Sequence, residues 1–315
     1  MATQATATAD TARVTARVPG GRRRRPGHKH SVAGFLFTAP FLVLFLALFI
    51  APLAYALYLS LFREQLVGGT TFVGLENYQD GLADKEFISG VKRVALFLAV
   101  QVPVMLVLAL TFALIIDSGR VLFARLFRVA IFVPYAVPTV IAALMWGFLY
   151  GRDFGPFADL AEAIGSTPPN FLGEATMLWS IANVQTWTYT GYNMVILYAA
   201  LRSIPTDLYE AAAVDGAGPV RTAIHIKLPL LRPALLLCTI FSVIGSFQLF
   251  TEPQIFRDLA PAVIGKDYTP NLYVYNLAFA DQRLNYAAAL SFLLGIVVFI
   301  VSYLVMYASR RQEAR

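Results

Sequence analysis

The chain has 315 residues, of which 58% are hydrophobic and only 14% are charged, whereas a soluble domain carries roughly 25% charged residues. The charges cluster and leave apolar stretches long enough for crossings of about 20 residues, so the composition excludes a soluble protein and indicates a polytopic membrane protein. The net charge of +6 follows from basic residues on alternate loops and does not require nucleic acid as a partner. The single cysteine, Cys238, lies in an apolar run, which excludes a disulfide framework and a thiolate metal site.

The first 30 residues are rich in Ala and Thr and contain four consecutive arginines, Arg22, Arg23, Arg24 and Arg25. This composition cannot build a core, and it predicts a disordered cytoplasmic tail whose charge orients the first helix. A patch that binds nucleic acid or lipid is the competing interpretation. The apolar run that follows is longer than the h-region of a signal peptide, so we expect no cleavage.

Six apolar segments follow the tail and predict an all-α membrane domain with six transmembrane helices over residues 31–315. The expected crossings are residues 35–62, 94–116, 129–150, 177–201, 233–256 and 285–309. Pro134 and Pro138 should kink the third crossing. Glu252 enters the fifth crossing near its outer end, where it either lines the external mouth, contacts an external protein, or simply reaches water.

The basic residues predict the orientation of the crossings. Of the 25 Lys and Arg residues, 17 fall in the two terminal tails and in the 117–128 and 202–232 loops, and the other three loops hold 8. The positive-inside rule therefore predicts that both termini and the 202–232 loop are cytoplasmic. The loops near residues 63–93, 151–176 and 257–284 should face outward.

No pattern of catalytic residues is visible in the chain, so we expect it not to be an enzyme. It contains no GxxxxGK[ST] phosphate loop, and its three histidines, His28, His30 and His225, lack metal-ligand spacing. No charged residue lies at the centre of a crossing, which disfavours an ion-coupled carrier, although carbonyls and hydroxyls can also form a sodium site. A membrane-embedded enzyme would need clustered catalytic residues at one membrane face, and none are evident.

Neutral polar residues form one stripe on the fourth crossing and another on the fifth. The first stripe consists of Gln185, Thr188, Tyr189 and Tyr192, and the second of Ser242, Gly245, Ser246 and Leu249, with Gln248 beside it. Amides and hydroxyls suit the hydroxyl groups of a neutral sugar, and aromatic planes suit its C–H faces. Such groups also join helices in membranes, and periodicity alone does not decide between the two interpretations.

The polar segment between these two crossings, residues 205–230, predicts a helix, a sharp turn and a second helix. Residues 205–214 have an amphipathic helical pattern. Residues 215–219 must turn, because glycine supplies a positive φ and the residue before Pro219 is pushed out of the α region. The second helix, residues 220–227, is expected to end at Leu228 and Pro229.

This segment resembles the EAA loop of binding-protein-dependent ABC importer permeases. The spacing EAA-x3-G-x9-I-x-LP is met by Glu210, Ala211, Ala212, Gly216, Ile226, Leu228 and Pro229. Residues 72–78 (FVGLENY), 132–134 (FVP) and 204–211 are similar to the carbohydrate branch, of the maltose and glycerol-3-phosphate transporter type. The likeness runs from about residue 35 to the end.

The resemblance implies the type I permease fold and a docking role for residues 205–230, which we call the EAA loop. Its two short helices would insert into a cleft on a separate ATPase subunit. Glu210 would pair with a basic group there. The small side chains of Ala211 and Ala212 would let this face of the helix enter a groove on the partner. Gly216 would permit the turn, and Asp215 would cap the second helix.

The resemblance also implies a sugar site midway across the membrane, on the two helices that flank the EAA loop. Gln185 and Tyr192 match the family pattern there, whereas Tyr189 and Leu249 replace the small residue and the amide of the maltose type. The implied machine contains a second, different permease, two ATPase subunits that bind ATP and Mg, and an external solute-binding protein. It would lie in the cytoplasmic membrane of a prokaryote, with no cofactor on this chain. Glycerol-3-phosphate or a related solute is the alternative, but an anion would want Arg or Lys, and neither stripe contains one.

Overall fold

The computed structural model describes residues 32–65, 69–119 and 121–313. The predicted disordered basic tail, residues 1–30, lies outside the described residues. The chain divides into two compact units, one that ends at Leu53 and one that begins at Ala54.

The first unit contains an apolar helical segment. Helix α1 (Val32–Phe45) continues through a π-helical turn, Leu46–Ile50, into α2 (Ala51–Ser60). The Ala51 N–H donates to the Leu46 carbonyl, five residues back, immediately before Pro52. Because proline has no N–H to donate, this wide turn lets the helix continue past it. A helical segment therefore forms where the first crossing, 35–62, was predicted, but it ends at Ser60.

The second unit contains a small β-hairpin, which the all-α expectation did not include. Strands β1 (Phe62–Gln65) and β2 (Gly69–Phe72) pair antiparallel, with Phe62 opposite Phe72. Helix α3 (Glu76–Ala83) follows, and its Asn77 side chain donates to the carbonyls of Ser60 and Phe62, at 2.8 Å each. The missed signal is the Thr70-Thr71-Phe72-Val73 run, since β-branched and aromatic residues favour strands.

The predicted second and third crossings differ from the observed helices. Helix α4 (Lys85–Asp117) begins nine residues before the predicted start of 94, because Asp84 accepts a capping hydrogen bond from the Phe87 N–H. The third crossing is not one kinked helix. It consists of α5 (Ala124–Ala136) and α6 (Thr139–Leu149), which are bent by 96° at Val137 and Pro138.

Helix α7 (Pro156–Ala163) precedes α8 (Met177–Arg202), which matches the predicted fourth crossing. The EAA loop forms α9 (Thr206–Val214), α10 (Pro219–Thr222), a π-helical turn at Ala223–Lys227 and α11 (Leu228–Leu230). After a 64° bend comes α12 (Arg232–Phe247).

The last three helices are α13 (Thr251–Leu259), α14 (Pro270–Tyr275), which leads into a π-helical turn at Asn276–Ala280, and α15 (Leu284–Glu313). One helix was predicted over residues 233–256, but this region is divided between α12 and α13. The chain leaves helical geometry at Gln248, with φ −89° and ψ 8°, and after Phe250, with φ −141° and ψ −50°, it restarts as α13.

Helix α8 lies at the centre of the second unit, packed along α4 and α5 and touched by α6 and α12. Its first half packs in a core with Phe97, Tyr150 and Phe256. Its second half packs in another core with Ala109, Ala113 and Leu231. Helix α8 is thus positioned to combine polar side chains with groups from several neighbours.

Within the described ranges, three helices are long and apolar enough to cross a membrane: Phe35–Ser60, Lys85–Asp117 and Leu284–Ser309. Counting each of the two bent pairs as one span raises the number to five. Helix α8 is not among them, because amides, threonines and tyrosines interrupt its apolar surface.

Candidate functional site

A pocket of about 100 Å³ lies where α4, α8 and α12 meet, and we call it the central pocket. It is lined by Gln101, Met105, Gln185, Tyr189, Tyr192, Asn193, Phe241, Ser242, Gly245 and Ser246. Six of the nine residues predicted for the substrate path are therefore brought together, three from each stripe.

The other three predicted residues do not line the central pocket. Thr188 is buried, and its hydroxyl donates to the Val184 carbonyl at 2.9 Å. At about 100° per residue, Thr188 projects about 60° to one side of Gln185, whereas Tyr189 and Asn193 project to the other side. Leu249 is buried in the core and Gln248 is exposed, because α12 ends at Phe247 and the helical stripe does not continue to them.

Helix α4 contributes two lining residues that the sequence reasoning missed, Gln101 and Met105. Gln101 lies 3.5 Å from both the Thr186 hydroxyl and the Met105 sulfur, and Asn193 donates to the Tyr189 carbonyl at 3.0 Å. Gln101 is the one amide in the apolar run 94–116. An isolated polar residue in an apolar run was therefore the signal that could have identified Gln101 as a pocket residue.

Three tyrosines form an aromatic wall beside the pocket. Tyr135 of α5 stacks on Tyr192 with 4.7 Å between ring centroids, and it meets Tyr189 edge-on at 5.9 Å. Close approach of α5 to α8 depends on Gly191, because a Cβ there would lie 2.0 Å from the Ile131 carbonyl oxygen. The absence of a side chain at Gly191 therefore positions the aromatic wall.

Glu252 is buried, so none of the three expectations for it holds: it does not reach water, line an external mouth or offer a surface to an external protein. Only 1% of the residue is exposed, and its Oε1 accepts a hydrogen bond from Gln185 Nε2 at 2.7 Å. The break at Phe250 turns α13 so that Glu252 points inward. The Glu252 carboxyl group therefore helps to fix the Gln185 amide, which lines the central pocket.

The first half of the EAA loop is organised around Gly216. Gly216 has φ +75°, and the N–H groups of Gly216 and Ala217 donate to the carbonyls of Ala213 and Ala212, at 3.1 and 2.9 Å. This pair of bonds is a Schellman motif, which ends α9 on a left-handed glycine. The predicted helix and turn are thus confirmed.

The second half differs from the prediction in two respects. Asp215 does not cap it, because the N-cap residue is Gly218 and no side chain caps the helix. The helix does not end at Leu228 and Pro229 but runs to Leu230. Leu228 donates its N–H to the Ala223 carbonyl across the π-helical turn, which again accommodates a following proline.

Exposure separates the residues of the EAA motif into two groups. Glu210, Ala211 and Asp215 are exposed, and Leu228 is 36% exposed. Ile226 and Pro229 are half-buried. Ala212 is only 7% exposed and faces this chain, so the expectation that it belongs to the free docking face is wrong.

Among the residues that the structure describes, no group of three or more His, Cys, Asp and Glu side chains could hold a metal ion. Cys238 is a buried free thiol on α12.

The sequence matches the family model for the inner membrane component of binding-protein-dependent transport systems over residues 105–314. This chain belongs to that family. The match includes the EAA loop, α8, α12 and the part of α4 from Met105 onward. The resemblance to carbohydrate-branch permeases of ABC importers is thereby confirmed.

Curated relatives of this permease include sugar transport proteins of similar length. It is 30% identical to the arabinooligosaccharides transport system permease protein AraP of Bacillus subtilis, over 87% of this chain and 88% of that protein. It is also 30% identical to the lactose transport system permease protein LacF of Rhizobium radiobacter, over 90% and 96%. The trehalose/maltose transport system permease protein MalF of Thermococcus litoralis is 30% identical over 84% and 92%.

The permease fold is also found among solved structures. A chain from the crystal structure of a bacterial ABC transporter involved in the import of the acidic polysaccharide alginate matches with a TM-score of 0.77. The match covers 90% of this chain and 96% of that chain at 18% sequence identity, so it shows the fold alone.

Asp84 connects three helices at the N-terminal end of α4. Its carboxylate accepts hydrogen bonds from Tyr286 at 2.7 Å and from Tyr273 at 2.9 Å, besides capping α4. Burial raises the pKa of Asp84, but the hydrogen bonds from the Phe87 N–H and from the two tyrosines together lower it below its usual value. Asp84 is therefore held as a carboxylate that ties α4 to α14 and α15.

Proposed function

We propose that this permease is one of two different membrane subunits of an ATP-driven, binding-protein-dependent importer of a neutral sugar, most simply an oligosaccharide. Two ATPase subunits would drive it from the cytoplasm, and an external solute-binding protein would deliver the sugar. The observation that carries the proposal is the EAA loop, in which an exposed helix bearing Glu210 ends on the left-handed Gly216.

The geometry of the EAA loop supports docking to an ATPase subunit. Glu210 and Ala211 lie on the exposed side of α9, and Ala212 is buried against this chain on the other side. The Schellman turn at Gly216 then ends α9, and a second helix starts at Pro219. A short, firmly held projection of this kind can enter a cleft on a partner and transmit its movement.

The size of the central pocket supports a second permease subunit. At about 100 Å³ it is well below the roughly 300–1,000 Å³ of typical ligand sites. One chain therefore supplies part of a site, and an oligosaccharide would need the complementary surface of a partner. This agrees with a translocation path formed between two permeases.

The chemistry of the central pocket supports a neutral, hydroxyl-rich solute. Its lining side chains offer three amides, two tyrosine hydroxyls and two serine hydroxyls, and none of them is Lys or Arg. A glycerol phosphate or another anion would leave its charge unpaired there, which is costly in a membrane. The printed names of the relatives, for arabinooligosaccharides, lactose and trehalose or maltose, point to the same class.

Six crossings with both termini in the cytoplasm complete the proposal. The three long apolar helices and the two bent pairs supply five candidate spans, and α8, with 26 residues, is long enough to be the sixth. The distribution of Lys and Arg supports this orientation. The basic tail, residues 1–30, would then act as a cytoplasmic anchor.

In the proposed cycle, this chain performs no covalent chemistry. Binding of ATP closes the ATPase pair and moves the EAA loop. The movement opens the path outward, so that the central pocket and its partner surface accept the sugar from the binding protein. Hydrolysis and release of the products then reset the subunits to face inward.

The test is purification of the complex in detergent from the native host, with the wild-type chain beside Glu210→Ala. We expect an ATPase and a second permease to accompany the wild type and the ATPase to be depleted by about tenfold or more in the variant. Glu162→Ala is the matched control, because Glu162 is likewise an exposed glutamate on a short helix, α7.

If the wild type purifies without an ATPase, or if Glu210→Ala retains it as fully as Glu162→Ala does, the proposed coupling is wrong. The sugar class is tested by adding the external binding protein with lactose, maltose or arabino-oligosaccharides and measuring ATP hydrolysis. Stimulation only by an anionic solute would contradict the neutral-sugar assignment. Uptake that needs an ion gradient and no ATPase would favour the ion-coupled carrier.

A further inference from the structure

A buried ion pair connects the EAA loop to α4. Lys227 Nζ lies 2.5 Å from Asp117 Oδ2, and the two side chains are only 14% and 6% exposed. Lys227 is the last residue of the π-helical turn of the EAA loop, and Asp117 is the last residue of α4. They are 110 positions apart in the chain.

Each of the two charges would be unfavourable at its position without the other. An aspartate at the C-terminal end of a helix opposes the helix dipole, and burial deprives both charged groups of water. Removing one partner of such a pair leaves the other charge buried and alone, which is strongly unfavourable. The Lys227 ammonium and the Asp117 carboxylate therefore hold their two elements in one fixed relation.

The same ammonium also contacts the first helix of the EAA loop. Lys227 Nζ lies 5.0 Å from the centroid of the Tyr209 ring, which is within the range of a cation–π contact. Tyr209 is on α9, next to Glu210. One side chain thus links both helices of the EAA loop to the end of α4.

Helix α4 leads from this ion pair to the central pocket. Gln101 and Met105, which line the pocket, lie sixteen and twelve residues before Asp117 on the same helix. At about 1.5 Å per residue, these positions are about 24 and 18 Å from the ion pair. Pro103 interrupts α4 near Gln101, but no proline or glycine lies between Met105 and Asp117. This part of α4 can move as a rigid body, so a displacement at Asp117 reaches the pocket wall at Met105.

We propose that Lys227 and Asp117 are positioning residues for transport, which transmit movement of the EAA loop through α4 to the central pocket. The inference rests on the proposed function, since it assumes that a partner ATPase moves the EAA loop. It assigns separate tasks to neighbouring residues. Glu210 holds the ATPase, whereas the ion pair passes the movement on.

The experiment uses a reporter thiol in the central pocket of the complete complex, reconstituted in nanodiscs. The reporter is Ser242→Cys in a Cys238→Ala background, and its labelling rate with a small methanethiosulfonate reagent is measured with and without trapping by ATP and vanadate. Lys227→Met, Asp117→Asn and Lys227→Arg are compared with the unmodified pair. The control is Lys266→Met, which breaks an exposed ion pair with Asp281.

We expect trapping to change the labelling rate of the reporter by about tenfold, as is typical of coupled sites. Lys227→Met and Asp117→Asn should lose this change while the ATPase subunits still co-purify. Lys227→Arg should keep it, because a guanidinium can pair with Asp117 and stack on Tyr209. Lys266→Met should behave like the unmodified complex.

Three results would overturn the inference: an unchanged response in Lys227→Met and Asp117→Asn, loss of the ATPase from them as in Glu210→Ala, or failure of Lys227→Arg to keep the response. The second would show that the pair shapes the docking surface, and the third that any change at Lys227 disturbs the fold. Absence of an ATPase from the unmodified complex would be visible before any variant is made, and it would overturn the proposed function itself.

Discussion

Replacing Gly191 with alanine should displace α5 from α8 and disrupt the aromatic wall of the central pocket. A Cβ at Gly191 would lie 2.0 Å from the Ile131 oxygen, 2.7 Å from the Ile131 carbonyl carbon and 2.8 Å from Phe132 Cα. All three atoms belong to the backbone of α5, so no rotation of a side chain can relieve the clash.

The size of the displacement follows from the contact distances. Ordinary van der Waals contacts of a Cβ begin at 3.4 Å, so the Ile131 carbonyl would have to move back by about 1.4 Å. Overpacking of this kind costs about 1–3 kcal/mol and occasionally more, and we expect the upper end because a whole helix must move. Tyr135 would move with α5 and lose its stacking on Tyr192.

The free energy of unfolding in mixed detergent micelles would measure this cost, with Gly295→Ala as the control. Gly295 lies within α15, and a Cβ there would meet nothing within 4 Å. Its replacement should be neutral or stabilising by up to about 1 kcal/mol, because alanine favours helices. If the two variants have the same stability, the argument from close helix approach is wrong.

Three further predictions concern other parts of the permease. Gly216→Ala should destabilise the EAA loop by about 1–2 kcal/mol because φ is +75° there. Gly218→Ala is the control and should have no such effect, because φ is −71° and a Cβ would meet nothing within 4 Å. Thermal unfolding of both variants tests this difference. Because the folded-state pKa of Asp84 is lowered, its contribution to stability is present above the unfolded value of about 3.9 and is lost as the pH falls through the folded value. The difference in melting temperature between the wild type and Asp84→Asn should therefore be constant at neutral pH and shrink below about pH 4, and a difference that grows there would contradict the assignment. Gln185→Leu should cost about 1–3 kcal/mol by leaving the Glu252 carboxyl group buried without its hydrogen-bond donor, and adding Glu252→Leu should restore much of the loss in the same unfolding assay.

Much of the secondary structure could be predicted because its causes are local in the sequence. Long apolar runs give the long helices, and α8 follows the expected bounds within one residue. The turn at Gly216 follows from the conformational freedom of glycine, and the EAA spacing identified the family that the sequence comparison then confirmed. The bend at Val137 was predicted only as a kink, and the bend at Leu231 was not predicted. A proline shows that a helix is perturbed, but it does not show by what angle.

The central pocket was only partly predictable. Helical periodicity placed Gln185, Tyr189 and Tyr192 on one face, but it could not say that the neighbouring position, Thr188, packs against its own helix. That distinction depends on where α4 and α12 lie around α8. The fifth segment was misjudged for a similar reason, because the break at Phe250 turns Glu252 inward to meet Gln185.

By itself, the sequence determined that this is a helical membrane permease with an EAA loop, because hydropathy, charge bias and glycine act over a few residues at a time. Only the tertiary structure decided which polar groups meet. Gln101 joins the pocket from α4, and Lys227 pairs with Asp117 across 110 positions of the chain. No short-range pattern encodes such pairs, since they arise when whole helices pack and the buried charges and amides must find partners within reach.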